Sequence, residues 1–149
     1  MWSLNNKTIV ITGATNGIGR AAAIELANEN PKLVFTYRNQ NLADSLIDEI
    51  REASPNVEIY SVFCDFANQE SIRKCATEIN NLSSTIDVLI NNAGVVNTSY
   101  HETDQGIENT FAVNHLGYFL FTNLLLEKMK GETETRIINV SSAAHGFIK

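Results

Sequence analysis

The chain has 149 residues, 44% of them hydrophobic and 19% charged, which fits one globular domain over 1–149 with enough chain to bury a core. Its net charge of -6 is scattered, with no run of Lys or Arg, and this excludes a stripe able to follow a nucleic-acid backbone. Apolar stretches fall short of the roughly 20 residues that a membrane helix needs, so no span is expected in this chain.

The start, MWSLNNKTIV, lacks the pattern of a signal peptide. Cys64 and Cys75 lie outside any C-x-x-C or Cys/His ligand spacing, and a reduced, intracellular, cytoplasmic setting is the expectation. His101, His115 and His145 show no metal-ligand spacing, so no metal is expected.

In chain order, KTIVIT (7–12) is a continuous apolar run, the pattern of a strand covered on both faces. T-G-A-T-N-G-I-G, from Thr12 to Gly19, then leads into a predicted helix over 17–30. Glycines at a strand-to-helix turn let backbone amides approach a pyrophosphate, whose charge the helix N-terminus favours. The alternative is that they serve only close strand–helix packing.

KLVFTY (32–37) is the second predicted strand. About 20 residues past the glycines, where a carboxylate would hold a ribose 2′-hydroxyl, the chain reads F-T-Y-R-N-Q with Arg38. A guanidinium fork suits a 2′-phosphate, which favours NADP(H) over NAD(H); the alternative is a solvated surface arginine. Further on come a helix over 41–53, an alternating and more edge-like strand VEIYSVF (57–63), a helix over 68–82, and strand and turn IDVLINNA (86–93). A loop through Tyr100, helix from about 103 to 129, and strand RIINVSS (136–142) complete the pattern. Such alternation predicts βαβ units and a doubly wound parallel sheet. The segment 113–129 is apolar almost all round, more than one core face requires.

With N-N-A-G at Asn91–Gly94 beside the T-G-x-x-x-G-x-G turn, the sequence resembles the short-chain dehydrogenase/reductase family. C-D-F at Cys64–Phe66, V-N-H-L-G at Val113–Gly117 and I-N-V-S-S at Ile138–Ser142 extend the likeness over essentially the whole chain. The wording of N-H-L-G-Y-F-L-F-T-N-L-L-L and Y-R-N is most similar to the retinol-dehydrogenase-like branch. The resemblance implies a Rossmann-like fold and hydride transfer between NADP(H) and an alcohol or carbonyl substrate, retinoid- or steroid-like. It places Gly13, Gly17, Ile18 and Gly19 along the pyrophosphate, Arg38 at the 2′-phosphate, and Asp65 and Phe66 at the adenine. Asn91, Ala93 and Gly94 would pass beneath the ribose and keep the fourth strand and its turn in place. Asn114 and Ser142 would be the catalytic matches, the asparagine in a distorted helix turn and the serine hydrogen-bonding the reacting oxygen. Read without the resemblance, Asp65 could cap the following helix, Asn91 could satisfy turn amides, and Asn114 could be a buried polar residue bonded to backbone.

The family delivers its proton from a Y-x-x-x-K turn of helix downstream of the serine, and this sequence contains none. Tyr37, Tyr60, Tyr100 and Tyr118 all lie upstream, and Lys149 has His145 four residues before it. The expectation is therefore five strands with the C-terminal strands missing: the cofactor-binding N-terminal portion of an enzyme, truncated before Y-x-x-x-K and inactive alone. The IINVSS strand would then expose an unpaired edge, and the complete enzyme could be a homodimer through the 113–129 helix. The alternative is a non-catalytic nucleotide-binding or interaction module.

Overall fold

The computed structural model describes residues 3–130 and 134–143. Five parallel strands form one sheet: β1 (Thr8–Ile11), β2 (Lys32–Tyr37), β3 (Glu58–Phe63), β4 (Val88–Asn91) and β5 (Arg136–Asn139). Their order is β3-β2-β1-β4-β5, so the chain winds outward one way from β1 and then crosses to the other side.

Period-two alternation in the central strands feeds two cores. Ile9 and Ile11 of β1, with Leu33 and Phe35 of β2, face α1 (Gly17–Ala27) and α2 (Gln40–Ala53). Val10, Val34, Val62 and Leu89 face the other way, toward α3 (Gln69–Leu82) and α5 (Gly117–Met129). Both faces of the central strands are thus covered, which is why β1 reads as an unbroken apolar run. The doubly wound Rossmann-like expectation describes this architecture.

Helices α1, α2 and α3 all start at asparagine caps. Asn16 accepts from the Gly17 amide, Asn39 from Leu42 and Asn68 from Ser71, each satisfying a donor that a helix start leaves over. On α1 the buried face is Gly19, Ala23 and Ala27, small residues that bring the helix close to the sheet.

Three boundaries differ from expectation by three residues or more. Helix α1 stops at Ala27 instead of 30, because Pro31 disfavours helical backbone before it and Asn30 turns left-handed at φ 53°. Helix expected from about 103 begins only at α4 (Asn109–Phe111), where the Glu108 carboxylate accepts from the Thr110 and Phe111 amides at 2.8 and 2.7 Å. A π-helical turn, Ala112–Leu116, then joins α4 to α5. The last strand ends at Asn139 instead of 142: Val140 still donates to the Asn91 carbonyl at 2.9 Å, after which β4 has ended and offers no further partner.

Strand β5 pairs with β4 in the register Val88↔Arg136 to Asn91↔Asn139. All four of its residues are exposed, Ile137 at 43% and Ile138 at 45%. Among the described residues, no helix is long and apolar enough to cross a membrane.

Candidate functional site

A cleft of about 550 Å³ opens at the C-terminal ends of the strands, over the switch point between β1 and β4. This is where ligands enter open α/β sheets, and the size lies in the range of small-molecule pockets. Its walls include Gly13, Gly17, Ile18, Gly19, Arg38, Asp65, Phe66, Ala93 and Gly94. Asn91, Asn114 and Ser142, the other residues singled out in the sequence, stand outside that wall.

The two turns that form the floor touch through backbone. Gly13 adopts φ 64°, and a Cβ there would lie 2.6 Å from Ala93 Cα; no larger residue fits without moving the N-N-A-G turn. Thr12 and Asn92 staple these turns together. The Thr12 hydroxyl oxygen accepts from the Asn92 and Ala93 amides, both at 2.9 Å. In return Asn92 Nδ2 donates to the Thr12 and Gly13 carbonyls at 3.0 Å. Beyond Gly13, Gly17 has φ 54° with open space where a Cβ would stand. The amides of Ile18 and Gly19 follow in the first turn of α1, where helix polarity favours an anion.

The wall by β2 and β3 carries charge. Arg38 follows β2, beside Asn39, the cap of α2. Asp65 follows β3; its amide donates to the Ser71 hydroxyl at 2.8 Å and its Oδ1 accepts from the Ala67 amide at 3.0 Å. Asp65 therefore braces the turn, and Asn68 is the helix cap that Asp65 could have been. Phe66 lies edge-on to Phe121 and Tyr118, with ring centroids 5.4 and 6.4 Å away.

Asn91 is fully buried and serves as a strut: Nδ2 donates to Thr122 Oγ1 at 3.0 Å and to Asn139 Oδ1 at 2.8 Å, tying β4 to α5 and β5. Neither partner is a turn amide. Asn114 sits in the π-helical turn and clasps one residue twice, accepting from the Val95 amide and donating to the Val95 carbonyl, each at 2.9 Å. It is bonded to backbone, as one reading held, but exposed instead of buried. Ser142 lies just beyond β5, past Val140, which does line the cleft. His145 and Lys149 fall outside the described residues.

Thr12, Asn92 and Tyr118 were not singled out as site residues. The first two stand inside quoted motifs, and their polar side chains at strand ends were the available signal. Tyr118 donates to the Ala93 carbonyl at 2.6 Å, and burial pushes its phenol up to about 12. It stays a neutral donor that fixes the turn from below. Among the described residues, no group of three or more His, Cys, Asp or Glu could hold a metal ion.

A family profile for the short chain dehydrogenases matches residues 7–147. Human retinol dehydrogenase 13 is 40% identical over 143 residues, covering 96% of this chain and 43% of that protein. The chloroplastic short-chain dehydrogenase TIC 32 A of Brassica napus is 38% identical, covering 94% of this chain and 45% of its own. The chain thus spans less than half the length of these relatives. Among solved structures, NAD+-bound xylitol dehydrogenase superposes with a TM-score of 0.82 at 24% identity, over 99% of this chain and 57% of that one. Levodione reductase gives 0.80 at 24%, over 93% and 55%. The chain belongs to the short-chain dehydrogenases, an oxidoreductase family that works with nicotinamide cofactors, and within it is retinol-dehydrogenase-like.

Proposed function

We propose that this chain binds NADP(H) in the cleft over β1 and β4 and forms the cofactor half of a site for hydride transfer to or from an alcohol or carbonyl compound. The observation that carries this reading is the Gly13–Ala93 backbone contact, which leaves a floor of main chain at the mouth of α1 with Arg38 on the adjoining wall. Such a floor fits a pyrophosphate, and the guanidinium fits a 2′-phosphate. The cofactor, when bound, would supply the hydride to a carbonyl compound or accept it from an alcohol.

The residues then divide the work. Ile18 and Gly19 offer amides to the pyrophosphate, Arg38 pairs with the 2′-phosphate, and Asp65 and Phe66 close over the adenine. Ala93 and Gly94 shape the ribose floor, which Thr12, Asn92 and Tyr118 hold still. Asn91 keeps β4 in register with β5 beneath them. At the far end Ser142 would orient the reacting oxygen, with Asn114 fixing the helix turn beside it. The likeness to retinol dehydrogenases supports an apolar, retinoid- or steroid-like substrate.

Fluorescence titration with NADPH and NADH tests the reading. NADPH should bind at least about tenfold tighter, the worth of one charge-assisted contact, and Arg38→Gln should erase the difference. Failure to bind either nucleotide overturns it. A second reading is a nucleotide-binding module that takes up NADPH without turnover. Carbonyl-dependent NADPH oxidation by the purified chain would exclude that alternative.

A further inference from the structure

Cys64 and Cys75 have no task in the site described above, yet the fold brings them together. The Cys64 amide donates to the Tyr37 carbonyl at 2.8 Å, continuing the β2–β3 ladder. Its neighbour Asp65 is bonded to the Ser71 hydroxyl, and Cys75 stands one helical turn beyond Ser71 on the same side of α3. Both cysteines sit in one apolar core, 2% and 1% exposed. Cys64 lines the cleft and Cys75 does not. A hydrogen bond with Cys64, and then burial, lifts the Cys75 thiol far above the ordinary thiol range.

We propose that Cys64 and Cys75 are an oxidisable dithiol, in which Cys64 is oxidised first through the cleft and Cys75 then closes a disulfide between the end of β3 and α3. With a peroxide as oxidant, the Cys64 sulfur attacks the O–O bond and leaves as a sulfenic acid, releasing one water. The Cys75 sulfur displaces the sulfenic oxygen, which departs with the Cys75 proton as a second water. The two thiols lose two electrons and the peroxide gains them. Closure pulls on the turn that carries Asp65, so the oxidised chain holds a nucleotide less tightly. A nucleotide in the cleft in turn shields Cys64; this part rests on the proposed NADP(H) site.

The experiment treats the full chain with hydrogen peroxide, alkylates it after denaturation and measures its mass. The expected product has lost two hydrogens and both alkylation sites. Cys75→Ser should stop at a Cys64 sulfenic acid that a 1,3-diketone traps, whereas Cys64→Ser should leave Cys75 a thiol. Two intact thiols after treatment, or a sulfenic acid on Cys75 in Cys64→Ser, would overturn the proposal. Should either serine variant fail to fold, the unsubstituted chain's mass decides alone. In a parallel sample with NADP+ at ten times the Kd found by calorimetry, oxidation should slow about tenfold. Bound NADP+ with an unchanged rate sinks the route through the cleft. Disulfide closure in a chain that binds no NADP+ leaves the dithiol standing and removes the nucleotide reading instead.

Discussion

The two ends of the cleft are held by different means. Beside β2 and β3, strands of six residues are fully laddered and covered by helices capped at asparagine. The glycine turn after β1 is locked by contact between main chains. Beside β5, a four-residue exposed strand is tied to β4 by backbone bonds and by the Asn91–Asn139 pair at 2.8 Å. Asn114 reaches across from a π-helical turn to hold Val95. Packing fixes the first end and a few side-chain hydrogen bonds fix the second. Changes at the first should therefore cost stability of the whole domain, and changes at the second should act locally.

The sharpest test lies in the glycine turn. Gly13→Ala combines a left-handed backbone with a collision against Ala93 and should cost about 3 kcal/mol in urea unfolding. Gly17→Ala shares the backbone conformation but meets open space, and about 1 kcal/mol is expected. Equal losses would show that contact with Ala93 is not what locks this end.

Next in size is the staple. Thr12→Val removes the oxygen that two amides share and should cost about 2 kcal/mol, since those donors lose their partner, while Thr12→Ser should restore most of it. At the β5 end, Asn139→Ala should cost about 1 kcal/mol. Hydrogen exchange should then speed up at Val140 while Val34, in the central core, keeps its protection. Loss of protection at both would mean that the two ends are not independent.

The smallest effect concerns acid. The Thr110 and Phe111 amides hold the Glu108 carboxyl below the usual carboxylate range. A carboxylate lowered in the folded state stabilises it above its unfolded pKa and loses that contribution as the pH falls through the lowered value. Protection of the Thr110 amide should therefore decline at a lower pH than an ordinary carboxylate would give, and Glu108→Gln should flatten the profile.

What could be read beforehand divides along the same line. The unbroken run of β1, the glycine turn and the alternation of β3 carry their own pattern, because each follows from contacts between whole elements. Where β5 stops depends on where β4 stops, a fact stored some 48 residues away in the Val88↔Arg136 pairing. The π-helical turn depends on Val95, 19 residues before Asn114, and Tyr118 matters through a carbonyl 25 residues before it. No window of local periodicity contains both members of such a pair. Asn16, Asn39 and Asn68 were legible in principle as caps, since each precedes a helical run.

The strand order also dictates when the cleft can exist. Pairing β1 with β2 joins Thr8 to Lys32, and β2 with β3 joins Lys32 to Glu58, so each closes a modest loop. Pairing β1 with β4 joins Ile9 to Val88, and closing that longer loop costs about 1 kcal/mol more in chain entropy. On a growing chain the β1–β2–β3 sheet can form while β4 is still unmade. The Thr12–Asn92 staple, and with it the floor of the cleft, comes only after them.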